Sequence, residues 1–362
     1  MALVLNRSNN NQWVDLTDVL TEVPRQNLIM SSLGIFEPYY SPVKQIEIRR
    51  TLTQNHLVVD RNWDERNSNI AGRDRQSLQL AIPHFPLDDA ITPNDIDATV
   101  QANSIQEAMG LESVANVRLD KMTSLVSAHD LTMEAARWQL VVDGEVYAPN
   151  GTLRTSYGKT VNFYTEYGVT RTETEVTTFS GVGDPRAQIE GIRKKVIEGA
   201  RGFAGVPRVV ALCGSDYFDA LITNAFVTDA IKYQQMPGLS REILVGRPDN
   251  NPFGLNSLYR TVELWGVTFI DAGQAGYETT YGGAFTPFIG AKEARYMPIN
   301  IRGAYKTYFA PAQKFGTINR AAQGSYWFEY ANEKDQKIEI ETEQNFLNAL
   351  LAPASVVRSF IA

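Results

Sequence analysis

The chain of 362 residues is short of the side chains on which much protein chemistry depends. It has one cysteine, Cys213, and three histidines, His56, His84 and His129. A single cysteine excludes an intramolecular disulfide and removes the usual signature of a secreted scaffold. No stretch approaches about 18 uninterrupted apolar residues, so no membrane-spanning helix is read. The opening Met1-Ala2-Leu3-Val4-Leu5-Asn6-Arg7 lacks the basic start and apolar run of a signal peptide. The expectation is a soluble protein made inside a cell. Lysine is missing altogether between Gln45 and Asp120. Positive charge is scarce overall, with 34 Lys+Arg against 41 Asp+Glu and a net charge of −7. That balance argues against a dedicated nucleic-acid binder, which needs a basic face for phosphates, but not against a container that encloses nucleic acid without gripping it.

Catalytic motifs are missing too. None of the three histidines has a second ligand at i+4 or lies in a C-x-x-C context, so no zinc site is read. His129 sits on an apolar helical stripe and reads as a core histidine. Cys213-Gly214-Ser215-Asp216 lies where a strand passes into a helix, but Asp216 and Tyr217 break the G-x-S-x-G pattern. Ser215 reads as a helix cap and Cys213 as a small buried hydrophobe. Gly202-Phe203-Ala204-Gly205 matches neither a Walker loop nor a dinucleotide loop, and the acids at Asp88-Asp89 and Asn94 to Asp97 lack calcium-loop spacing. No catalytic, cofactor-binding or metal-binding residue is assigned, and the chain is read as a non-enzyme.

What is present is an α+β pattern with enough apolar residues, 43%, for a substantial core. Its most telling feature is an excursion from Lys44 to Leu87 that reads strand, charged tip, strand. Ile46, Ile48 and Leu52 alternate with Glu47, Arg49 and Thr51, and Leu78, Leu80 and Ile82 alternate on the return. The tip between them carries Arg61, Asp64, Glu65, Arg66, Arg73, Asp74 and Arg75 around one aromatic, Trp63. A two-stranded hairpin is at best marginally stable alone, so this one must lean on something. It is a lid if the chain is an enzyme and an arm on a neighbouring subunit if the chain is an assembly protein. Its acids nearly match its bases, which suits an interlocking charged surface. Arg61, Trp63, Asp64, Arg66, Arg73 and Arg75 are therefore the expected inter-subunit contacts.

Elsewhere, Thr17 to Val23 suits a short helix, within an amino-terminal segment packed either on its own domain or on a neighbour. Leu111, Ala115, Met122, Val126, His129, Met133, Ala136 and Leu140 recur at helical spacing, predicting one long helix ended by Asp143-Gly144. Asn150-Gly151 marks a tight turn, and Val161, Phe163 and Glu173 to Phe179 read as strands of one sheet. Asp184-Pro185 caps a helix with Ile189, Ile192, Val196 and Ile197 inward. Val206 to Leu212 reads as a strand covered on both faces. The next helix turns Phe218, Leu221, Ile222, Ala225 and Phe226 inward. Thr261 to Asp271 reads as a strand broken at Gly266, Pro237 to Ser257 as a long loop, Lys337 to Glu341 as a strand, and Ala354 to Ile361 as a closing strand.

Taken in order, these pieces resemble the lambda-type major capsid proteins of tailed bacteriophages, the coat protein E family. The resemblance covers nearly the whole chain. It runs through Phe36-Glu37-Pro38-Tyr39-Tyr40 into Lys44-Gln45-Ile46, then Pro83-His84-Phe85, then the long helix into Val141-Val142-Asp143-Gly144-Glu145-Val146. It continues through Asp184-Pro185 and the closing Asn345-Phe346-Leu347, Leu350-Leu351-Ala352-Pro353 and Val356-Val357. The resemblance implies the tailed-phage major capsid fold (HK97-like). It further implies an N-terminal arm over 1–43, an extended loop over 44–87, a peripheral domain with a spine helix over 88–183 and 323–362, and an axial domain over 184–322. It implies pentamers and hexamers of an icosahedral shell around phage DNA, assembled in the host bacterial cytoplasm and ending in the virion. The expected partners are the chain itself, a portal, a decoration protein and a separate scaffolding protein, since no charged helical prefix precedes the arm. Some relatives of this fold join subunits through an isopeptide bond from a loop lysine; the lysine-free hairpin predicts a shell without that bond. The competing readings are a tail-tube subunit and an enzyme with a hairpin lid.

Overall fold

The computed structural model describes residues 28–52, 74–96, 114–146, 161–179, 183–233, 259–278, 283–317, 319–331 and 337–361. The expected helix at Thr17 to Val23, the hairpin tip, the Asn150-Gly151 turn and the Pro237 to Ser257 loop lie outside them.

In chain order, the first elements are α1 (Ile29–Leu33), β1 (Glu37–Tyr40), β2 (Gln45–Leu52), β3 (Asp74–Ala81), β4 (Pro86–Ile91), α2 (Pro93–Ile96) and α3 (Val114–Asp143). There follow α4 (Phe163–Glu166), β5 (Thr172–Glu175), α5 (Arg186–Gly199), β6 (Gly205–Cys213), α6 (Ser215–Thr223) and α7 (Ala225–Tyr233). The remainder is β-structure: β7 (Thr261–Leu264), β8 (Val267–Asp271), β9 (Gly276–Glu278), β10 (Phe285–Pro287), β11 (Glu293–Ile301), β12 (Tyr305–Phe309), β13 (Tyr326–Ala331), β14 (Ile338–Glu343), β15 (Phe346–Leu350) and β16 (Val357–Phe360).

The hairpin forms where its alternation predicts, with β2 and β3 antiparallel from Gln45 opposite Ala81 to Leu52 opposite Asp74. It leans on its own chain at the base. Ile46, Ile48, Leu80 and Ile82 join the same core as Ile29, Met30, Phe36, Trp138 and Leu140. The segment from Ile29 to Tyr40 also packs on its own chain, because β1 pairs in parallel with β12, from Glu37 opposite Lys306 to Tyr40 opposite Phe309.

The spine helix α3 is 30 residues long, about 45 Å at 1.5 Å per residue. It stops at Gly144, where φ is +75° and a Cβ would lie 2.4 Å from the Tyr164 ring. Val117, Leu125, His129, Met133, Ala136 and Leu140 are buried, but Met122 and Val126, expected inward, stay 40% and 43% exposed. The reason is coverage. The amino-terminal half of α3 is backed by one small sheet, whose Ile91 and Ile340 meet Val117 and Leu125, and that sheet leaves the Met122–Val126 row open.

The largest sheet has six strands in the order β5-β16-β11-β6-β8-β7. Val209 to Cys213 of β6 are buried throughout, as a doubly covered strand requires. The expected break at Gly266 is a turn, not an interruption. Trp265 (φ +51°) and Gly266 (φ +71°) both adopt left-handed backbone, so β7 doubles back antiparallel onto β8. The closing strand β16 inserts between β5, in parallel, and β11, antiparallel.

Three local expectations are corrected. Phe163 begins a helical turn, not a strand, because the Asn162 side chain accepts the Tyr164 amide at 2.9 Å and caps it. Gly214, not Ser215, takes the cap position of α6. Asn224 ends that helix and its Oδ1 accepts from the Phe226 amide at 3.0 Å, starting α7 with Ala225 and Phe226 turned outward and Val227 inward.

Candidate assembly surfaces

Glu134 is a carboxylate in the middle of a core helix, and its partners explain it. Its Oε1 accepts from the Met30 amide at 2.6 Å and from Trp138 Nε1 at 3.0 Å. Its Oε2 accepts from the Ser31 amide at 2.9 Å and from Ser31 Oγ at 2.7 Å. The two amides belong to the first turn of α1, whose N–H groups have no partners inside the helix. Arg137 lies alongside, donating to Ser31 Oγ at 2.9 Å, with its guanidinium 5.1 Å from the centre of the Phe36 ring. Burial pushes the Glu134 carboxyl above its ordinary range, opposed by the hydrogen bonds from Ser31 and Met30 and by Arg137. The amino-terminal arm is thus latched to the spine helix at one buried point.

The other end of the spine helix meets the six-stranded sheet through paired charges. The Val142 carbonyl, at the carboxyl end of the helix dipole, accepts from Arg171 and from Arg295 Nε at 3.4 Å. Glu293 bridges Arg295, at 2.8 Å, and Arg358, which also pairs with Glu173 at 3.0 Å. Burial alone raises Glu293, but Arg358 and Arg295 outweigh it and hold the carboxyl below its usual range. This network ties α3 to β5, β11 and β16.

The sheet in the order β13-β14-β4 has two unlike faces. Trp327, Ile338, Ile340, Leu87 and Ile91 face α3, together with Thr342, whose Oγ1 lies 2.9 Å from His129 Nε2. Burial lowers the His129 pKa, so it is a neutral, hydrogen-bonded core histidine as expected. The opposite face carries Phe328 and Tyr330 on β13 beside Glu341 and Glu339 on β14, with Asp88 next to Glu341 on β4.

Apolar side chains stay uncovered in three places: Leu119, Met122 and Val126 along α3; Tyr39, Tyr40 and Val43 around the edge strand β1; and Phe315, which is 98% exposed. Among the described residues no group of three His, Cys, Asp or Glu side chains is placed to hold a metal ion, and no helix is long and apolar enough to cross a membrane. Cys213 is buried and burial pushes its thiol up, away from the reactive thiolate.

Of the residues predicted from sequence as contacts, Arg61, Trp63, Asp64, Arg66 and Arg73 lie outside the described residues, and Arg75 stands on β3 opposite Thr51. Arg49, lower on the hairpin, points outward and pairs with Glu47 at 2.7 Å. Glu134 was not foreseen. The only trace of it in the sequence is an acid four residues before Trp138 inside an apolar stripe.

Residues 12–361 match the family described as phage major capsid protein E. The chain is 31% identical to the major capsid protein of Pseudomonas phage KPP10 over 99% of both chains. Among solved structures it is similar to the capsid subunit of cyanophage Pam1, with a TM-score of 0.54 at 13% identity, covering 100% of this chain and 99% of the other. The capsid of cyanophage P-SCSP1u gives a TM-score of 0.51 at 10% identity, over 99% and 93%. The fold is therefore the HK97-like capsid fold, and the chain belongs to the phage major capsid protein E family.

Proposed function

We propose that this chain is the repeating subunit of a phage head shell, grouped in pentamers and hexamers around packaged DNA. The observation that carries the reading is the hairpin. Its base is fixed in the chain's own core by Ile46, Ile48, Leu80 and Ile82, while its tip sequence is rich in arginine and acid with Trp63 among them. An arm anchored at one end and charged at the other suits a contact with another copy. Arg61, Trp63, Asp64, Arg66, Arg73 and Arg75 are its contact residues.

The subunit divides into an arm over 1–43, the extended loop over 44–87, a peripheral domain over 88–183 and 323–362, and an axial domain over 184–322. Pro237 to Ser257 is its contact around the five- and six-fold axes. The net charge of −7 suits a wall that does not adhere to the DNA inside. Scaffolding, portal and decoration proteins complete the head, which forms in the host cytoplasm and persists in the virion. Replacing residues 57–70 by a short Gly-Ser turn tests the reading. The shortened subunit keeps its fold and forms no shells. Shells in normal yield from it would remove the hairpin from the account.

A further inference from the structure

The outward face of the β13-β14-β4 sheet is built to seat a cation. Register places Phe328 opposite Glu341 and Tyr330 opposite Glu339, with Asp88 on the far side of Glu341. An aromatic column therefore runs beside an acidic one. The isolated subunit already demonstrates the chemistry: Lys314 pairs with Glu341 while its ammonium lies 5.4 Å from the Phe328 ring centre and 5.0 Å from that of Tyr330. Lys337 pairs with Glu339. Asp88 points outward, Tyr330 is 42% exposed, and the bare ring of Phe315 follows Lys314 in sequence.

The face repels phosphate and attracts basic groups, so its occupant is cationic and carries its own aromatic or planar surface. The hairpin is the segment of this chain that fits. From Arg49 to Arg75 it holds six arginines and four carboxylates, a net +2 in a chain of net −7, with Trp63 among them. Guanidinium groups stack on aromatic rings and pair with carboxylates in the same pose, which lysine does less well. The hairpin's own arms lead away from this face. Eight extended residues carry Leu52 and Asp74 roughly 25 Å from the root at Gln45 and Ala81, whereas the face begins at Pro86, five residues past that root. Identical subunits in a closed ring meet through two different patches, one on each copy.

Resting on the shell reading above, we propose that the Phe328, Tyr330, Glu339, Glu341 and Asp88 face receives the arginine-rich hairpin of a second copy of this chain.

Charge reversal on the full chain, expressed with the other head-assembly proteins, tests this through shell yield on a gradient. Glu339→Arg with Glu341→Arg, or Arg66→Glu with Arg73→Glu, each lowers the yield about tenfold or more, because like charges then meet across the contact. All four changes together restore it to within about twofold. Neutralising with Glu339→Gln and Asp88→Asn, a milder change for the fold, leaves shells whose yield no longer falls as salt rises, whereas wild-type yield does fall. Unchanged yield from the Glu339→Arg and Glu341→Arg chain overturns the proposal. So does a loss that the fourfold variant fails to repair, which assigns the face to a different partner. A wild-type chain that forms no shells under the same conditions overturns the shell reading instead.

Discussion

Removing the Glu134 carboxylate should cost more stability than almost any other single change in the spine helix. Four donors converge on it, and they differ in what they can do once it is gone. The Met30 amide and the Trp138 indole belong to residues with 0% and 1% exposure, so neither reaches water without opening the core. Each stranded donor costs about 1–3 kcal/mol. The Ser31 amide and hydroxyl sit on an exposed residue and rehydrate cheaply. Arg137 also loses the anion beside it. Glu134→Ala should therefore destabilise the subunit by about 3–5 kcal/mol, the range for breaking a buried charged network. That is a large part of the roughly 5–15 kcal/mol available to a folded domain. Glu134→Gln keeps the volume and one acceptor and should cost about 1–2 kcal/mol, and Ser31→Ala about 0.5–1.5 kcal/mol. Urea unfolding of unassembled subunits, followed by tryptophan fluorescence, measures all three. Limited proteolysis should also show new cleavage near residues 28–36 in the alanine variant, because the latch holds that segment. If Glu134→Ala unfolds within about 0.5 kcal/mol of wild type with no new cleavage, the latch argument is wrong.

Gly144→Ala should lower stability by about 2–4 kcal/mol in a thermal melt, since φ is +75° and the new Cβ would press on the Tyr164 ring; an unchanged melting temperature would contradict this. His129 is held neutral by burial, so its folded pKa lies below its unfolded value near 6.5. Its contribution is complete above that pH and is lost as pH falls through the folded pKa. His129→Gln should flatten the dependence of stability on pH below about 6.5, and an unaltered slope would rule the histidine out as its source. With no lysine between Gln45 and Asp120, the hairpin has no amine to form an isopeptide bond, and arginine, protonated above about pH 12, does not substitute. Mature particles boiled in reducing detergent should run as one band at monomer mass; a ladder would refute the non-covalent shell.

The elements that were legible in the sequence are those whose pattern is local. Alternation at Ile46, Ile48, Leu78 and Leu80 set the hairpin, and 3.6-residue spacing with Asp143-Gly144 set the spine helix and its end. Asp184-Pro185 announced α5, where Asp184 Oδ1 accepts from the Arg186 amide at 2.9 Å. What escaped depends on partners far along the chain. Periodicity put Met122 and Val126 on the inward stripe, but nothing in a helix reveals how far its covering sheet extends. Phe163 looked like a strand residue until the Asn162 cap outweighed its β-propensity. Glu134 needed Met30 and Ser31, more than a hundred residues earlier, before a buried acid made sense.

The central claim, that this family member builds a closed head shell through an arm laid on its neighbour, is tested most directly by electron cryomicroscopy of particles formed by the full chain with its head-assembly proteins. The account predicts closed shells of five- and six-fold clusters in which the density between Leu52 and Asp74 crosses onto an adjacent subunit. Tubes, unassembled monomers, or a hairpin folded back wholly onto its own subunit would contradict it.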